Sequence, residues 1–536
     1  MKKLPQNIAT YIPIMLALML MLGIYIGKKL NSGSTLIPSG NSSYHNGPYN
    51  KLSDIINYIE QDYVDSVQRA ELTNEAIEAI IKKLDPHTQY ISREDYNAIN
   101  DPLLGSFEGI GVQFNFVEDT LTIIHTIPGG PSEKLGILPG DRIVSVEDTT
   151  IAGINLTNID AMRKLKGPRG TKVRIGILRR GTDGILDFTI TRDIIPTYSM
   201  DIAYMPQDSV GYIKLNTFSA TTYNEFRAGL LQLKENGLNS LIIDLRSNTG
   251  GYVRPALQIA DELLSEKKLI VYTEGNSRPK ASTYSTNKGL FEEGTVIILI
   301  DSNSASASEI LAGAIQDNDR GTIVGRRSFG KGLVQEQLNF PDGSALRMTI
   351  ARYYTPTGRS IQKPYQEGFE EYYGEFHRRY ANGELLNADS INFPDSLKFT
   401  TPGGKIVYGG GGIMPDEFVP LETGNPPFYN LVFNKGVVYE YTFEYTDRYR
   451  STLNNFKTFE EFDNGFEVTD EMYEEFVAFA VEKGVERSQK EVRDSKEKLS
   501  IMLKAFIGRN VLDNEAFYPL YHKVDPIFKK ALEIVN

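Results

Sequence analysis

The 536-residue sequence contains no cysteine, which excludes disulfide bonds, thiolate catalysis and cysteine-ligated metal sites. An oxidising compartment stays open, because many proteins there carry no disulfide. Histidine is also scarce, and none lies between residues 200 and 360; the five histidines are His45, His87, His125, His377 and His522. Since zinc sites need clustered histidine, cysteine or carboxylate ligands, we expect neither a metal nor another cofactor.

The composition is that of a globular protein, with 40% hydrophobic and 24% charged residues. A chain of this length is expected to form about two to four domains. The net charge of −12 disfavours nucleic acid as a partner, because a polyanion is repelled by an acidic surface.

One long apolar run occurs near the N-terminus, at residues 11–27. Roughly 20 apolar residues span a bilayer, and lysines lie on both sides of the run. It fits either a cleaved signal peptide or a membrane anchor. No small-x-small cleavage site closes the run, so we favour an uncleaved anchor. Residues 31–50 are rich in serine, glycine and asparagine and predict a flexible tether.

Residues 52–84 show apolar residues at helical spacing, and we expect a helical segment with a break near Thr73. Asp85-Pro86-His87 ends it, because proline disfavours helix in the preceding residue. His87 is interpreted as a capping or packing histidine of this turn, with a catalytic role as the alternative.

Residues 104–193 contain short alternating strands separated by glycine turns. The motifs GIGVQF at 109–114, PGGPS at 128–132 and LPGDRIVSV at 138–146 resemble a PDZ domain. Such domains bind the C-terminal carboxylate of a peptide in a backbone nest and add its strand to their sheet edge. The resemblance implies a peptide-binding pocket bordered by Phe107, Gly109, Ile110, Gly111 and Val112.

Strands alternate with helices between residues 196 and 365, which predicts a largely parallel sheet covered on both faces. The predicted strands include 210–215, 240–245, 296–300 and 322–325. Ligands collect beyond the carboxyl ends of such strands. Small-residue turns follow two of these strands, after Leu245 and after Ile300, and both are expected at that edge.

The turn after Ile300 carries four serines, Ser302, Ser304, Ser306 and Ser308, at the start of a predicted helix. A serine nucleophile needs a base, and the predicted core has no histidine. Lys331 lies in the glycine-rich sequence SFGKG, where burial would favour the neutral amine that a base requires. On these residues alone, a surface lysine in a glycine loop remains the alternative.

Several motifs together resemble the C-terminal processing peptidases, tail-specific serine proteases with a Ser-Lys dyad. They are SASASEI at 304–310, a lysine 25 residues after Ser306, DPHTQYIS at 85–92, DLRSNTGG at 244–251 and YYTPTGRSIQ at 353–362. One departure is DLRSNTGG, where members often have asparagine-asparagine-proline before the paired glycines. Both glycines are kept, so the departure is not interpreted as inactivation.

The resemblance implies that Ser306 is the nucleophile, Lys331 the general base and Gln335 the residue that orients the lysine. The backbone N–H of Ala307, with that of Gly250 or Gly251, would form the oxyanion hole. The implied fold is α/β and multidomain: a ClpP/crotonase-like protease core with an inserted mainly-β PDZ domain, an N-terminal helical segment and a C-terminal helical extension.

We therefore expect six segments: a membrane anchor or signal at 1–30, a linker at 31–50, a helical segment at 51–103, a PDZ domain at 104–193, a protease core at 194–420 and a helical domain at 421–536. The expected partners are proteins with apolar C-terminal tails, the membrane through the anchor, and an adaptor or second copy through the C-terminal helices. The expected location is the bacterial inner membrane, with the catalytic part in the periplasm.

The predicted function is a serine endopeptidase that cleaves tail-bearing proteins through an acyl-enzyme. One alternative is a non-catalytic PDZ adaptor or chaperone built on the same scaffold. A second alternative is a crotonase-like acyl-CoA enzyme, which the PDZ domain, the Ser-Lys spacing and the apolar N-terminal run disfavour.

Overall fold

The structure is a computed structural model that describes Met19, Met21 and residues 50–391 and 393–536. Apart from these two methionines and Asn50, the predicted anchor and tether lie outside the described residues. In the part of the chain that the structure describes, no helix has the length and apolar character needed to cross a bilayer.

The described N-terminal segment contains two helices, α1 (Lys51–Asp62) and α2 (Arg69–Ile81). Contacts divide the chain into residues 1–76 and 77–536, so α2 crosses the division. The predicted break near Thr73 is wrong, because the helices separate at residues 63–68 instead. Thr73 continues the helix by donating its hydroxyl proton to the Arg69 carbonyl at 2.7 Å, which satisfies the polar group locally.

A mainly antiparallel sheet forms the PDZ-like part, in the order β3-β4-β5-β7-β8 with β6 paired to β5. Leu121, Ile123, Ile143 and Val173 are fully buried in its core. In this sheet β3 pairs with β4 alone, so its other edge is unpaired. The elements are β3 (Val112–Val117), β4 (Thr120–Thr126), α4 (Pro131–Lys134), β5 (Arg142–Val146), β6 (Thr149–Thr150), α5 (Asn158–Leu165), β7 (Lys172–Leu178) and β8 (Ile185–Thr191).

A helix and a two-stranded connection join this part to the rest of the chain. The connection pairs the strand that enters the PDZ-like sheet with the strand that leaves it. These elements are α3 (Tyr96–Leu104), β2 (Ser106–Gly109) and β9 (Asp193–Pro196).

The central sheet has six strands in the order β10-β11-β12-β15-β16-β21, and all pairs except β10-β11 are parallel. The prediction of a largely parallel sheet is confirmed. Register places Asp244 beside Leu299, and Leu299 beside Val324, so neighbouring strands end together. The strands are β10 (Met200–Gln207), β11 (Val210–Leu215), β12 (Ser240–Asp244), β15 (Thr295–Ile300), β16 (Thr322–Gly325) and β21 (Glu417–Phe418).

The two faces of this sheet are covered by different parts of the chain. Helices α6 (Thr222–Glu235), α7 (Val253–Leu263) and α8 (Ala307–Asp317) pack on one face. The chain adds strands β11, β12, β15 and β16 in one direction across the sheet. Because each crossover connection between parallel strands is right-handed, the three connecting helices lie on the same face of the sheet. The last two helices, α17 (Asn514–Tyr521) and α18 (Pro526–Val535), cover the opposite face.

A buried ionic contact strengthens this C-terminal attachment. The Arg246 guanidinium lies 2.7 Å from the Asp525 carboxylate and also binds Asp244, the last residue of β12. Lys214 adds a contact of 3.6 Å to Asp244. Burial would raise the pKa of Asp244, but Arg246 and Lys214 outweigh it and hold that pKa well below its usual range. The C-terminal helices are therefore tied to a turn that borders the serine loop.

A second, antiparallel sheet of five strands was not predicted. Its order is β1-β18-β13-β14, and β17 pairs with β18. The strands are β1 (Gln89–Ile91), β13 (Leu269–Gly275), β14 (Arg278–Tyr284), β17 (Leu333–Asn339) and β18 (Ala345–Tyr354). This sheet matters for the site because β17 carries Gln335 and begins two residues after Lys331.

The segment after β18 contains helices α9 (Phe369–Tyr373) and α10 (Glu375–Ala381) and a hairpin of β19 (Lys398–Thr400) and β20 (Ile406–Tyr408). Beyond it, the predicted C-terminal helical region is confirmed. Tyr473, Phe476, Val477 and Ala480 are fully or almost fully buried on one helix face. The helices are α11 (Pro427–Asn434), α12 (Val437–Arg448), α13 (Arg450–Leu453), α14 (Phe459–Gly465), α15 (Asp470–Glu482) and α16 (Gln489–Leu512).

Candidate active site

Ser306 lies between β15 and α8, at the carboxyl edge of the central sheet. Its φ is +55°, a region that residues other than glycine seldom adopt. The N–H of Ser306 donates to the Glu309 carboxylate at 2.9 Å, which stabilises this turn. Ala307 begins the helix, where N-terminal N–H groups have no intrahelical partner. A strained serine followed by the first N–H group of a helix, that of Ala307, is an arrangement suited to acyl transfer.

The other serines of the turn have different surroundings. The Ser304 hydroxyl donates to the Leu245 carbonyl at 2.8 Å, and the Ser308 hydroxyl donates to the Asn248 carbonyl at 2.9 Å. Both therefore fasten the serine turn to the neighbouring turn after β12. The buried Ser302 hydroxyl makes no hydrogen bond with the described residues.

The Glu309 carboxylate connects Ser306 to the lysine loop. One oxygen, Oε2, accepts the N–H of Ser306 at 2.9 Å and the N–H of Lys331 at 2.8 Å. The other, Oε1, accepts the Ser328 hydroxyl at 2.5 Å and the Gly330 N–H at 2.7 Å. Burial raises the pKa of Glu309 to about 7, while these four donors favour the charged carboxylate. One side chain thus fixes the backbones of both predicted catalytic residues.

Tyr353 gives a second connection between the same residues. Its hydroxyl lies 2.8 Å from the Lys331 carbonyl and 3.2 Å from the Ser306 carbonyl. The ring is almost fully buried, and burial raises the tyrosine pKa well above its usual value, so the hydroxyl stays a donor. The backbones of Ser306 and Lys331 are therefore neighbours although 25 residues separate them.

The Lys331 side chain donates to Gln335 Oε1 at 3.0 Å. Burial is the main cause that lowers its pKa to about 8, and the nearby Arg347 acts in the same direction. Asp85 and Glu309 partly oppose the shift. At pH 7 about one such amine in ten is neutral, compared with far fewer for a solvated lysine.

The structure brings Ser306, Lys331 and Gln335 to one place, but it does not join the two predicted catalytic groups directly. Among the described residues, no hydrogen bond connects the Ser306 hydroxyl to the Lys331 amine, which instead binds Gln335. The arrangement can support proton transfer only when the amine lone pair faces the hydroxyl.

Of the two predicted oxyanion glycines, Gly250 lies beside the serine, and Gly251 lies against the Phe218 backbone. A Cβ built on Gly250 would come within 2.8 Å of Ser306 Cβ and 3.1 Å of the Ala307 nitrogen. The Gly250 N–H donates to Asn248 Oδ1 at 2.9 Å, so that group is already paired. The Gly251 N–H, in contrast, makes no hydrogen bond with the described residues.

His87 lies beside the lysine loop. Its backbone carbonyl accepts from Gln335 Nε2 at 2.6 Å, and its ring Nε2 lies 2.8 Å from the Tyr372 hydroxyl. Burial, followed by the charge on Lys331, lowers the pKa of this histidine to about 3. The contacts are those of a packed, neutral histidine. Another histidine, His522, is bound to Tyr204 at 2.6 Å on the far face of the central sheet.

The PDZ-like part contains an apolar cavity of about 340 Å³ next to the core. Four of the five predicted pocket residues line it: Phe107, Ile110, Gly111 and Val112. Gly109 does not, because it pairs with Asp193 between β2 and β9. The remaining lining residues are Asp101, Pro102, Phe114, Met162, Leu165, Lys166, Thr197, Tyr198, Ser199, Thr217 and Ser219.

Three family models match the chain. Residues 209–370 match the peptidase family S41, and residues 126–179 match a PDZ domain. Residues 428–513, in the helical region, match a family of unknown function (DUF8443). The first two matches define the class: a serine-type peptidase that carries a PDZ domain.

Curated relatives identify the family. The carboxy-terminal-processing protease of Bartonella bacilliformis is 32% identical over 63% of this chain and 78% of its own length. The carboxyl-terminal-processing protease of Synechocystis sp. is 36% identical over 55% of this chain and 70% of its own. CtpA of Bacillus subtilis, a carboxy-terminal processing protease, is 30% identical over 62% and 71%. This chain belongs to the carboxy-terminal processing proteases of family S41.

Among solved structures, the photosystem II D1 C-terminal processing protease is similar with a TM-score of 0.36. The sequence identity is 24%, and the match covers 70% of this chain and 88% of that chain.

Glu309 and Tyr353 are the site residues that the sequence analysis missed. Ser306 and Glu309 are spaced as in the S-x-x-E capping box, which is a recognisable helix start. That signal would have identified the bond from Glu309 to Ser306. The bonds to the lysine loop have no local signature, because they join residues 19 to 22 positions apart.

Glu309→Gln is expected to reduce kcat/KM by at least about tenfold and to destabilise the fold by about 2–4 kcal/mol. Four N–H or O–H groups now donate to the Glu309 carboxylate, two to each oxygen. A glutamine would place its own NH₂ group against two of these donors. Peptide hydrolysis and urea unfolding measure the two effects. Glu336→Gln, at an exposed position on β17, is the matched control. Wild-type activity and stability in Glu309→Gln would contradict the role of this carboxylate.

Proposed function

We propose that this protein is a serine endopeptidase that uses Ser306 as nucleophile and Lys331 as general base. The observation that carries the proposal is the Glu309 carboxylate, which binds the N–H groups of both residues through one oxygen. The lowered pKa of Lys331 supports the same assignment, because only a neutral amine can accept a proton.

In the proposed reaction, the Lys331 amine takes the Ser306 hydroxyl proton while Oγ attacks the substrate carbonyl. The N–H groups of Ala307 and Gly251 stabilise the resulting oxyanion. The lysine ammonium then protonates the leaving amine, and the acyl group stays on Ser306. Water, deprotonated by the same amine, attacks the acyl-enzyme and releases the product.

Gln335 has a defined part in this scheme. A neutral amine has two N–H donors and one lone pair. Donation of one N–H to Gln335 Oε1 orients the nitrogen, so that its lone pair is available for Ser306. A non-catalytic adaptor would not need this arrangement, and membership in the peptidase family also favours the enzyme.

Ser306→Ala and Lys331→Ala are each expected to lower kcat by at least about a thousandfold, because each removes a group that takes part in bond making. The measurement is cleavage of an unstructured protein with an apolar C-terminal tail. Ser302→Ala is the matched control, since it removes a nearby hydroxyl without a hydrogen-bond partner among the described residues. Cleavage at the wild-type rate by either variant would contradict the assignment of Ser306 as nucleophile and Lys331 as base.

Activity is expected to rise with pH. Because the pKa of Lys331 is lowered to about 8, the neutral base is scarce at pH 6 and predominates above pH 9. The value of kcat/KM should increase about tenfold per pH unit below pH 7 and level off above pH 9. Initial rates between pH 6 and 9.5 test this, with circular dichroism to check the fold. A profile that is flat or falls over that range would exclude Lys331 as the titrating base.

We propose further that the PDZ cavity binds the apolar C-terminal tail of the substrate. The Ile110 carbonyl accepts from Ser132, and the Gly111 carbonyl accepts from the Ile127 N–H. In a trans peptide the next N–H points the opposite way, so the N–H groups of Gly111 and Val112 are directed away from these partners. They can bind a carboxylate, while the free edge of β3 accepts the peptide strand.

Met162→Glu is expected to weaken tail binding by about tenfold or more, because it places a carboxylate at the rim of an apolar cavity close to the bound tail. Fluorescence anisotropy of a labelled tail peptide measures the affinity. Ile159→Glu is the matched control on the same helix, since Ile159 is exposed and does not line the cavity. An equal loss of affinity in both variants would mean that the PDZ cavity is not the binding site.

We also propose that residues 1–30 anchor the protein in the bacterial inner membrane, with the catalytic part in the periplasm. The apolar run flanked by lysines supports this. The full chain should sediment with membranes and be cleaved by protease added to spheroplasts, whereas a chain that starts at residue 31 should stay in the supernatant. The sedimentation of that shorter chain also reports whether copies of the protein associate through the C-terminal helices. Identical fractionation of both chains would contradict the anchor.

A further inference from the structure

The turn at residues 85–88 contacts the proposed catalytic lysine through Gln335. Gln335 Nε2 donates to the His87 carbonyl at 2.6 Å, and Gln335 Oε1 accepts from Lys331 at 3.0 Å. A carbonyl oxygen can only accept, so it fixes the NH₂ end of the amide. The oxygen end must then face the lysine. A flipped amide would oppose oxygen to oxygen and place donors against the lysine amine.

The turn itself is held by a dense set of hydrogen bonds. Asp85 Oδ1 accepts the N–H groups of His87 at 2.8 Å and Thr88 at 2.9 Å, and Oδ2 accepts the Thr88 hydroxyl at 2.5 Å. An aspartate that binds N–H groups two and three residues ahead closes a rigid turn. The Thr349 N–H, from β18, donates to the Thr88 hydroxyl at 3.2 Å. These bonds hold the backbone of the turn from one side.

Helix α9 holds the turn from the other side through two tyrosines. The Tyr372 hydroxyl lies 2.8 Å from His87 Nε2 and accepts from Gln362 at 3.3 Å. Burial lowers the pKa of His87, so the ring is neutral and its Nε2 can accept the Tyr372 proton. The Tyr373 hydroxyl donates to the Pro86 carbonyl at 3.2 Å. The His87 ring packs edge-on against Tyr372, with centroids 5.2 Å apart.

We propose that His87 is a positioning residue for Lys331: its carbonyl sets the amide orientation of Gln335, and its ring, bound to Tyr372, holds that carbonyl in place. This inference rests on the proposed role of Lys331 as base and adds to it. It assigns a function to the DPHT motif and to α9. The two segments come from far apart in the chain and meet at His87, whose carbonyl binds the Gln335 amide.

The charged groups that act on the lysine are Asp85 on the turn, Glu309 on α8 and Arg347 on β18. A substitution at His87 leaves all three in place. A change in the titration of Lys331 would therefore not be caused by the loss of one of these charges.

The test compares His87→Phe and Tyr372→Phe with wild type in pH–rate profiles. Phenylalanine keeps the ring volume and removes the shared hydrogen bond from either side. Each variant is expected to lower the plateau of kcat about tenfold with little change in KM, because a misplaced base slows the chemical step. The midpoint should move to lower pH by about half a unit, since a loosened amide stabilises the ammonium less. The double variant should match the singles, because both act through one bond.

His377→Phe is the matched control, an identical change at an exposed position on the neighbouring helix α10. Lys331→Ala in the same series separates the two proposals. If Lys331→Ala is active, the dyad assignment fails. If Lys331→Ala is inactive while both phenylalanine variants keep the wild-type plateau and midpoint, only the positioning role fails. Loss in His87→Phe as complete as in Lys331→Ala would instead make His87 catalytic and overturn the inference. Should His87→Phe not fold, Tyr372→Phe alone decides, as it removes a single hydroxyl.

Discussion

The candidate site depends on one buried carboxylate. Glu309 accepts four hydrogen bonds, one from Ser306 and three from residues 328–331, so it sets the start of α8 and the lysine loop relative to each other. A buried carboxylate is costly unless its hydrogen bonds are complete, and here each oxygen has two donors. The same residue therefore stabilises a strained serine turn and fixes the backbone from which the lysine extends.

The rest of the fold supplies the surroundings that this carboxylate needs. Parallel register brings the turns after β12 and β15 to one edge, where Gly250 approaches Ser306. The antiparallel sheet carries Gln335 on β17, and β1 joins the same sheet. The C-terminal helices close the other face of the central sheet and reach the turn after β12 through Asp525. The site is thus assembled from segments that span most of the described chain.

Local patterns predicted much of this architecture. The apolar strand before the serine turn, the helix after it and the strands at 210–215 and 322–325 all follow from periodicity, and the family motif selected Ser306 and Lys331. Contacts between distant segments have no such local pattern. Nothing near Gln335 indicates that its amide meets the carbonyl of His87, 248 residues away. Nor does periodicity reveal that one face of the central sheet is covered by the last two helices instead of by crossover helices.

The measurement that tests the central claim most directly is the location of the covalent intermediate. An acid-quenched reaction with a slowly hydrolysed peptide ester, followed by digestion and fragmentation mass spectrometry, distinguishes Ser306 from the three other serines of the turn. We expect one acyl group, on Ser306, in the wild-type protein. Turnover without a covalent adduct, or an adduct on another residue, would contradict it.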